Sequence, residues 1–419
     1  MTLRRQAAGL TVMHAADVLQ PLLILPYAGQ ILGPIAFGQY AYALAITQIG
    51  SMIVDYGFHF TARRAAAAAR HDPIAIRKIM AEVTAAKLIL FLGVSLVGLA
   101  ATSISLAISL PIFYCLLLAT LGGVVSPVWL LVALERPWRA AWAVVFARIL
   151  ALVAFLLLVR SPSQAYVGAA IQVSIPLVTA LICLPAILAI GVDGFRALRL
   201  RAIILQLQKG WHSFASLAAM TATVLLPIPL VQHFGGFAAA GHYSAAEKLV
   251  GVARPAFRIM ADLFMPRVAY LAAHDPDKGI ALIGRSLWTL VAGLFLSLFL
   301  YVVGPYIVIL LFGPEFAGAI RILQILCVVP FIVNIKICMA DLYMFNYGFE
   351  RAWTALIVAG LPAFLTISYL LSRWMDAQDA VATGFVTSEI LIAAVSAGFF
   401  IVAVTKRRRS ASLAKTADA

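Results

Sequence analysis

Charge is scarce in this chain of 419 residues: Asp, Glu, Lys and Arg together make up 11%, against 63% hydrophobic residues. Soluble domains carry about 25% charged residues, so the shortage excludes a string of water-facing domains. With a mean hydropathy of +1.01, the chain belongs in a bilayer. Acidic residues are scarcest, 17 against 31 basic ones, for a formal net charge of +14. A nucleic-acid binder gathers such a surplus on a soluble face. Here it lies between apolar runs of spanning length, which excludes nucleic acid as a partner. Cysteine is also rare: Cys115, Cys183, Cys327 and Cys338 all sit in apolar runs, without paired extracellular spacing or a C-x-x-C. Neither a disulfide framework nor a zinc site is expected, and the four read as small packing residues. A Walker-type G-x-x-x-x-G-K-[ST] is missing, so the chain is not expected to hydrolyse ATP itself. Also missing are a Ser/His/Asp arrangement, metal-ligand spacing and any long outward loop. Neither an enzyme nor a bound cofactor or metal is expected.

What is present is a succession of apolar runs. A helix needs about 20 apolar residues to cross the hydrocarbon, and twelve such runs occur: 8–29, 36–58, 82–104, 107–131, 140–159, 165–190, 208–232, 239–264, 283–312, 319–345, 352–373 and 379–405. The first, behind Arg4 and Arg5, is too long for a signal peptide and lacks an A-x-A-like end, so it reads as a retained span. On the side of the N-terminus, the even-to-odd loops and the C-terminus stand twenty-two basic residues; on the other side stand only Arg160, Arg321 and Arg373. That asymmetry predicts an even span count with both termini in the cytoplasm, and makes anionic membrane lipids a secondary partner of the basic loops.

The sequence matches itself without gaps at an offset of 203. Pro26 falls on Pro229, Gly33 on Gly236, Gly38 on Gly241, Tyr40 on Tyr243, Ala43 on Ala246, Arg64 on Arg267, and His71-Asp72-Pro73 on His274-Asp275-Pro276. Because span 2 lands on span 8, the repeats run in the same direction, as in one of the two repeat designs of transporters. The expected fold is an all-α polytopic membrane protein of about 12 transmembrane helices, in two parallel-repeat six-helix lobes around a central cavity. The lobes would comprise 1–203 and 204–405, followed by a basic cytoplasmic tail, 406–419.

An ionisable group at mid-span costs roughly 2.5–3.5 kcal/mol on insertion scales, so it faces the bundle interior or a wet cavity. Span 8 carries Glu247, Arg254, Arg258 and Asp262 at separations of seven, four and four residues, within roughly 80° of one another on one helix face. Lys248 stands beside them. Glu247 and Asp262 are candidate charge partners for this stripe; the alternative to a ligand site is local neutralisation, with Arg258 and Asp262 as an i,i+4 pair. Arg148 in span 5 and Lys336 in span 10 are also deep, and either serve a ligand or pair with the equally deep Asp341 and Glu389. The five cations Arg148, Lys248, Arg254, Arg258 and Lys336 outnumber what the acids need, which points to an anionic ligand. Span 1 carries His14, Asp17 and Gln20 on one face. They form either a proton-coupling site, in which a carboxylate beside an imidazole binds and releases a proton, or an interhelical hydrogen-bond cluster. Glu389 is a further candidate for ion coupling. Asp55 and Lys87 lie near span ends, where side chains reach water by snorkelling.

The run Gln30 to Ala43, the span 2 end at Asp55-Tyr56-Gly57 with the Arg63-Arg64 loop, the Tyr243 to Leu249 segment with Met265-Pro266-Arg267, and Leu311 to Ala319 resemble the polysaccharide-biosynthesis flippases of the multidrug/oligosaccharidyl-lipid/polysaccharide exporter superfamily. The resemblance runs over essentially the whole chain. It implies a flippase that carries an undecaprenyl-pyrophosphate-linked oligosaccharide across the bacterial inner membrane for O-antigen, capsule or other exopolysaccharide. A glycan polymerase or chain-length regulator would be a further partner. The pyrophosphate would be the anion for the five buried cations. Two other readings stay open: a cation-coupled multidrug exporter of the same superfamily, and a membrane glycosyltransferase or polymerase using the same lipid-linked sugar.

Overall fold

The computed structural model describes residues 3–104, 108–191, 193–198 and 200–417. Outside the described residues fall the side chains of 3–7, 10, 196, 197, 209, 212, 213, 216, 253–256, 258–260, 262, 403 and 406–417. Among the described residues the chain is helical throughout, with no strand.

Among the described residues ten helical stretches are long and apolar enough to cross a membrane. The longest, Thr11–Ala68, has 58 residues. At 1.5 Å per residue a straight helix of that length would be about 87 Å long, nearly three times the hydrocarbon thickness. It is not straight. Gly33 interrupts the Leu3–Asp55 helix with φ 65° and ψ 175°, a conformation essentially restricted to glycine, and the apolar runs 8–29 and 36–58 fall on either side. Gly236 interrupts the Pro227–Gly251 helix in the same way, with φ 77° and ψ −175°. These two residues are related by the offset of 203.

The other repeated motifs serve one structural purpose in both copies. Asp72 precedes the Pro73–Ser103 helix and accepts hydrogen bonds from the backbone N–H of Ile74 and Ala75, at 2.9 and 3.0 Å. Asp275 precedes the Pro276–Ser286 helix and accepts from Lys278 N–H at 3.1 Å. In each, proline fills the first helical position, where its missing N–H costs nothing, and the aspartate satisfies orphan donors. Gly38 and Gly241 mark a reciprocal contact. A Cβ at Gly38 would fall on the carbonyl oxygen of Phe237, and one at Gly241 on the carbonyl oxygen of Pro34. Phe237 and Pro34 are themselves an offset pair, so the contact has the local two-fold relation that duplication leaves behind.

The chain separates into two compact units, 1–241 and 242–419. The Leu200–Leu225 helix packs on the Leu3–Asp55, Phe58–Ala68 and Pro73–Ser103 helices of the first unit. In the first unit the Leu3–Asp55 helix packs mainly against Pro137–Leu158 and Leu110–Val125. The buried side of Pro137–Leu158 is Ala140, Ala143, Ala147 and Ala151, small residues that let backbones approach closely in a membrane. Its exposed side is Trp142, Phe146, Ile149, Val153 and Leu157, a stripe suited to lipid. In the second unit the main pairing is Glu350–Leu371 with Ala377–Ala417. The Val329–Lys336 helix runs there into a widened turn, Ile337–Met344, where Phe345 N–H bonds to the Ala340 carbonyl, five residues back. Single turns of this kind inside helices often accompany functional sites.

Candidate functional site

In the first unit, three helices bring polar side chains together within the apolar packing. Span 1 supplies Asp17 and Gln20, the Pro137–Leu158 helix Arg148, and the Ala165–Val173 helix Gln172. Arg148 donates to Asp17 at 2.5 Å and to the Gln20 amide oxygen at 3.2 Å. Gln20 in turn donates to Gln172 at 3.0 Å. His14 Nδ1 lies 4.0 Å from the second carboxylate oxygen of Asp17. The pair is unequally exposed: the Asp17 side chain is 45% exposed and that of Arg148 19%. Sequence reading offered Arg148 a ligand or a partner in Asp341 or Glu389; its partner is Asp17.

The second unit holds a buried pair of its own. Lys336 donates to Glu389 at 2.6 Å, both side chains largely buried, on elements that pack together, Val329–Lys336 and Ala377–Ala417. Asp341, in the widened turn that follows Lys336, accepts from Trp353 Nε1 at 3.0 Å. Beside them Asn334 and Thr289 bond each other twice, at 2.7 and 3.2 Å. Glu247 and Lys248 stand 3.5 Å apart. The side chains of Arg254, Arg258 and Asp262 lie outside the described residues. Of the five cations singled out in the sequence, Arg148, Lys248 and Lys336 therefore each have a carboxylate within 4 Å, and their charge is at least partly met by protein.

Asp55 and Lys87 depart from expectation. Rather than reaching for water at span ends, Lys87 is 4% exposed and donates to Asp55 at 2.8 Å and to the Gly123 carbonyl at 3.3 Å. The cause is local backbone. Tyr56 and Gly57 both take positive φ, 48° and 72°, breaking the helix directly after Asp55. Lys87 also meets the carbonyl end of the Leu110–Val125 helix, where orphan acceptors and the helix dipole favour a cation. Sequence reading also passed over buried Glu82, which accepts from Gln206 at 2.9 Å, and buried Asp379, which accepts from Arg321 at 2.8 Å. Arg321 had been counted only as an outward-loop charge.

Three comparisons relate the chain to known proteins. Residues 3–264 match the family model described as polysaccharide biosynthesis protein. The chain belongs to that family. A protein named for O-antigen transport in Escherichia coli (strain K12) is 25% identical over 389 residues, covering 91% of this chain and 93% of the other. Its counterpart from Shigella dysenteriae is 22% identical, with 91% and 96% covered. Among solved structures, an inward-facing multidrug resistance MATE family transporter of the MOP superfamily aligns with a TM-score of 0.75, covering 95% of this chain and 99% of that one at 15% identity. A MOP superfamily transporter from Pyrococcus furiosus, described as having a binding pocket of reversed polarity, aligns at 0.53 with 16% identity, covering 96% and 93%. At such identities the solved structures show the fold alone, the helical one of those transporters, and with it a multi-pass membrane protein.

Proposed function

We propose that this protein is a flippase that moves an undecaprenyl-pyrophosphate-linked oligosaccharide from the inner to the outer leaflet of the bacterial inner membrane by alternating access. The observation that carries the reading is membership of the polysaccharide biosynthesis family over more than half the chain, on a fold shared with transporters. The names of the full-length relatives support transport of O-antigen material. In this reading both termini are cytoplasmic, and the repeats 1–203 and 204–405 act as the two lobes, with 406–419 as a basic tail. Arg254 and Arg258, with Lys248, hold the pyrophosphate, because the guanidinium fork suits phosphate. Arg148 and Lys336 contribute only by exchanging their carboxylates, Asp17 and Glu389, for the ligand; that exchange would tie ligand binding to the state of the acid. A glycan polymerase or chain-length regulator takes up the product.

The exporter reading needs an acidic, unpaired carboxylate for an organic cation, whereas Asp17 and Glu389 each hold a cation of the protein. The test is deletion of the gene followed by mass spectrometry of inner-membrane lipids. Accumulation of one lipid-linked glycan supports the flippase; unchanged glycans with raised drug sensitivity would replace it by the exporter.

A further inference from the structure

We propose that Arg64 and Arg267, each with the exposed apolar residue one helical turn before it, form two equivalent sites for the phosphate group of a membrane phospholipid. Such sites require only a multi-pass membrane chain and are independent of the flippase reading.

Position comes first. In the stretch where 26–73 matches 229–276, the first copy carries three arginines, Arg63, Arg64 and Arg70. Arg63 falls on Pro266 and Arg70 on Ala273; only Arg64 meets a basic residue, Arg267. Topology does not demand this, because orientation depends on how many basic residues lie near a span end and not on their exact places. Packing does not demand it either. Both side chains are exposed, and neither has a hydrogen-bond or ion-pair partner among the described residues, whereas Arg70 is paired with Glu135. An arginine held in place by neither topology nor fold points to a ligand outside the chain.

The surroundings give the ligand its chemistry. On the Phe58–Ala68 helix, Phe58, Ala62 and Ala66 are buried, while Phe60 and Arg64 are exposed. On the Ala253–His274 helix, Ala261 and Val268 are buried, while Leu263 and Arg267 are exposed. In both copies four residues separate the apolar side chain from the arginine, which sets them about 40° apart round the helix and about 6 Å apart along it. The apolar one lies toward the membrane, since the runs 36–58 and 239–264 end within two residues of Phe60 and Leu263. From bilayer to water the order is apolar side chain, then guanidinium. That is the order of acyl chain and phosphate in a phospholipid, and the planar guanidinium fork matches phosphate oxygens two at a time. Two equivalent sites suit a lipid present all round the protein; one polyprenyl pyrophosphate in transit would fill only one.

Native mass spectrometry of the full-length protein, delipidated in mild detergent and titrated with phosphatidylglycerol, tests this. The wild type should hold two molecules tightly, and diacylglycerol, which has the chains without the phosphate, should hold to neither site. Arg64→Gln and Arg267→Gln should each weaken binding of one molecule by about tenfold, the effect of losing a hydrogen bond to a charged group, and the double variant should lose both. Arg64→Lys and Arg267→Lys should keep part of the binding, since charge remains without the fork. Arg63→Gln, the same loss of charge one residue away, should leave both molecules bound. All these positions are exposed, so thermal unfolding of the variants should match that of the wild type. Three results overturn the sites: the double variant binds as the wild type does, Arg63→Gln weakens binding as much as Arg64→Gln, or undecaprenyl pyrophosphate at equal concentration displaces phosphatidylglycerol from both. The glycan that accumulates on gene deletion has no bearing on these outcomes, so the sites and the flippase reading stand or fall separately.

Discussion

Replacing Asp17 by Asn removes the carboxylate that offsets Arg148 and leaves, among the described residues, the Gln20 amide as the guanidinium's partner. From sequence alone this variant is expected to slow export and flatten its pH dependence, with little effect on folding. The geometry adds a structural cost. Removing one partner of a fully buried pair costs about 3–5 kcal/mol; Asp17 is half exposed, so about 1–3 kcal/mol is expected. Thermal unfolding in detergent checks it, and Asp17→Asn combined with Arg148→Gln should recover most of the loss. Glu389 is nearly buried, so Glu389→Gln should cost more than Asp17→Asn, and Lys336→Met in the same chain should offset it. The mid-span charges were legible in the sequence because few residues in so apolar a chain carry charge at all. Their partners were not. Nothing in the order of residues says that Arg148 meets Asp17 while Lys336 meets Glu389, since both pairings depend on helix rotation and packing. Lys87 was misjudged for a related reason: depth along a span says nothing of which neighbour's carbonyl end it faces.

Helices in this chain are started and broken by a few residues that recur. Asp72→Ala should destabilise by about 1 kcal/mol through loss of an N-cap, read as a lower unfolding temperature. In the second copy, hydrogen bonds from the Lys278 side chain, then from its backbone N–H, hold the Asp275 carboxyl below the usual aspartate range. Its stabilising effect is therefore present above the ordinary aspartate value and is lost as pH falls through the lowered one. Asp275→Ala should remove that pH dependence from the unfolding curve. Gly33→Ala and Gly236→Ala each force a side chain into a region of about 1–3 kcal/mol strain, and both should reduce yield and unfolding temperature. The sequence showed these motifs as a repeat without showing their purpose. Span existence was legible from the apolar runs, and the gaps between 8–29 and 36–58 and between 208–232 and 239–264 enclose Gly33 and Gly236; that the helix kinks there rather than ending was not. The packing of the Leu200–Leu225 helix on the first unit was likewise invisible, because it depends on tertiary contacts rather than on hydropathy.

At the scale of the whole chain, the basic asymmetry predicts that a cysteine placed at Ala69 in a background without the native cysteines reacts with an impermeant maleimide only after the membrane is opened. Efficient labelling in intact cells would reverse the orientation. The native Cys115, Cys183, Cys327 and Cys338 are all buried, so their replacement by Ala or Ser leaves the test clean. The reciprocal contact of Gly38 and Gly241 bears on how such a chain diverges. Two copies of an ancestral segment are free to drift apart wherever each can change alone, but here each glycine accommodates a carbonyl of the other copy, next to the partner glycine's own backbone. A larger residue in either copy cannot be relieved by a compensating change in the other, since both positions already lack a side chain. The two sites therefore record the duplication long after the spans around them have lost it, and in a saturation library of this gene they should be the pair at which no second-site suppressor is recovered.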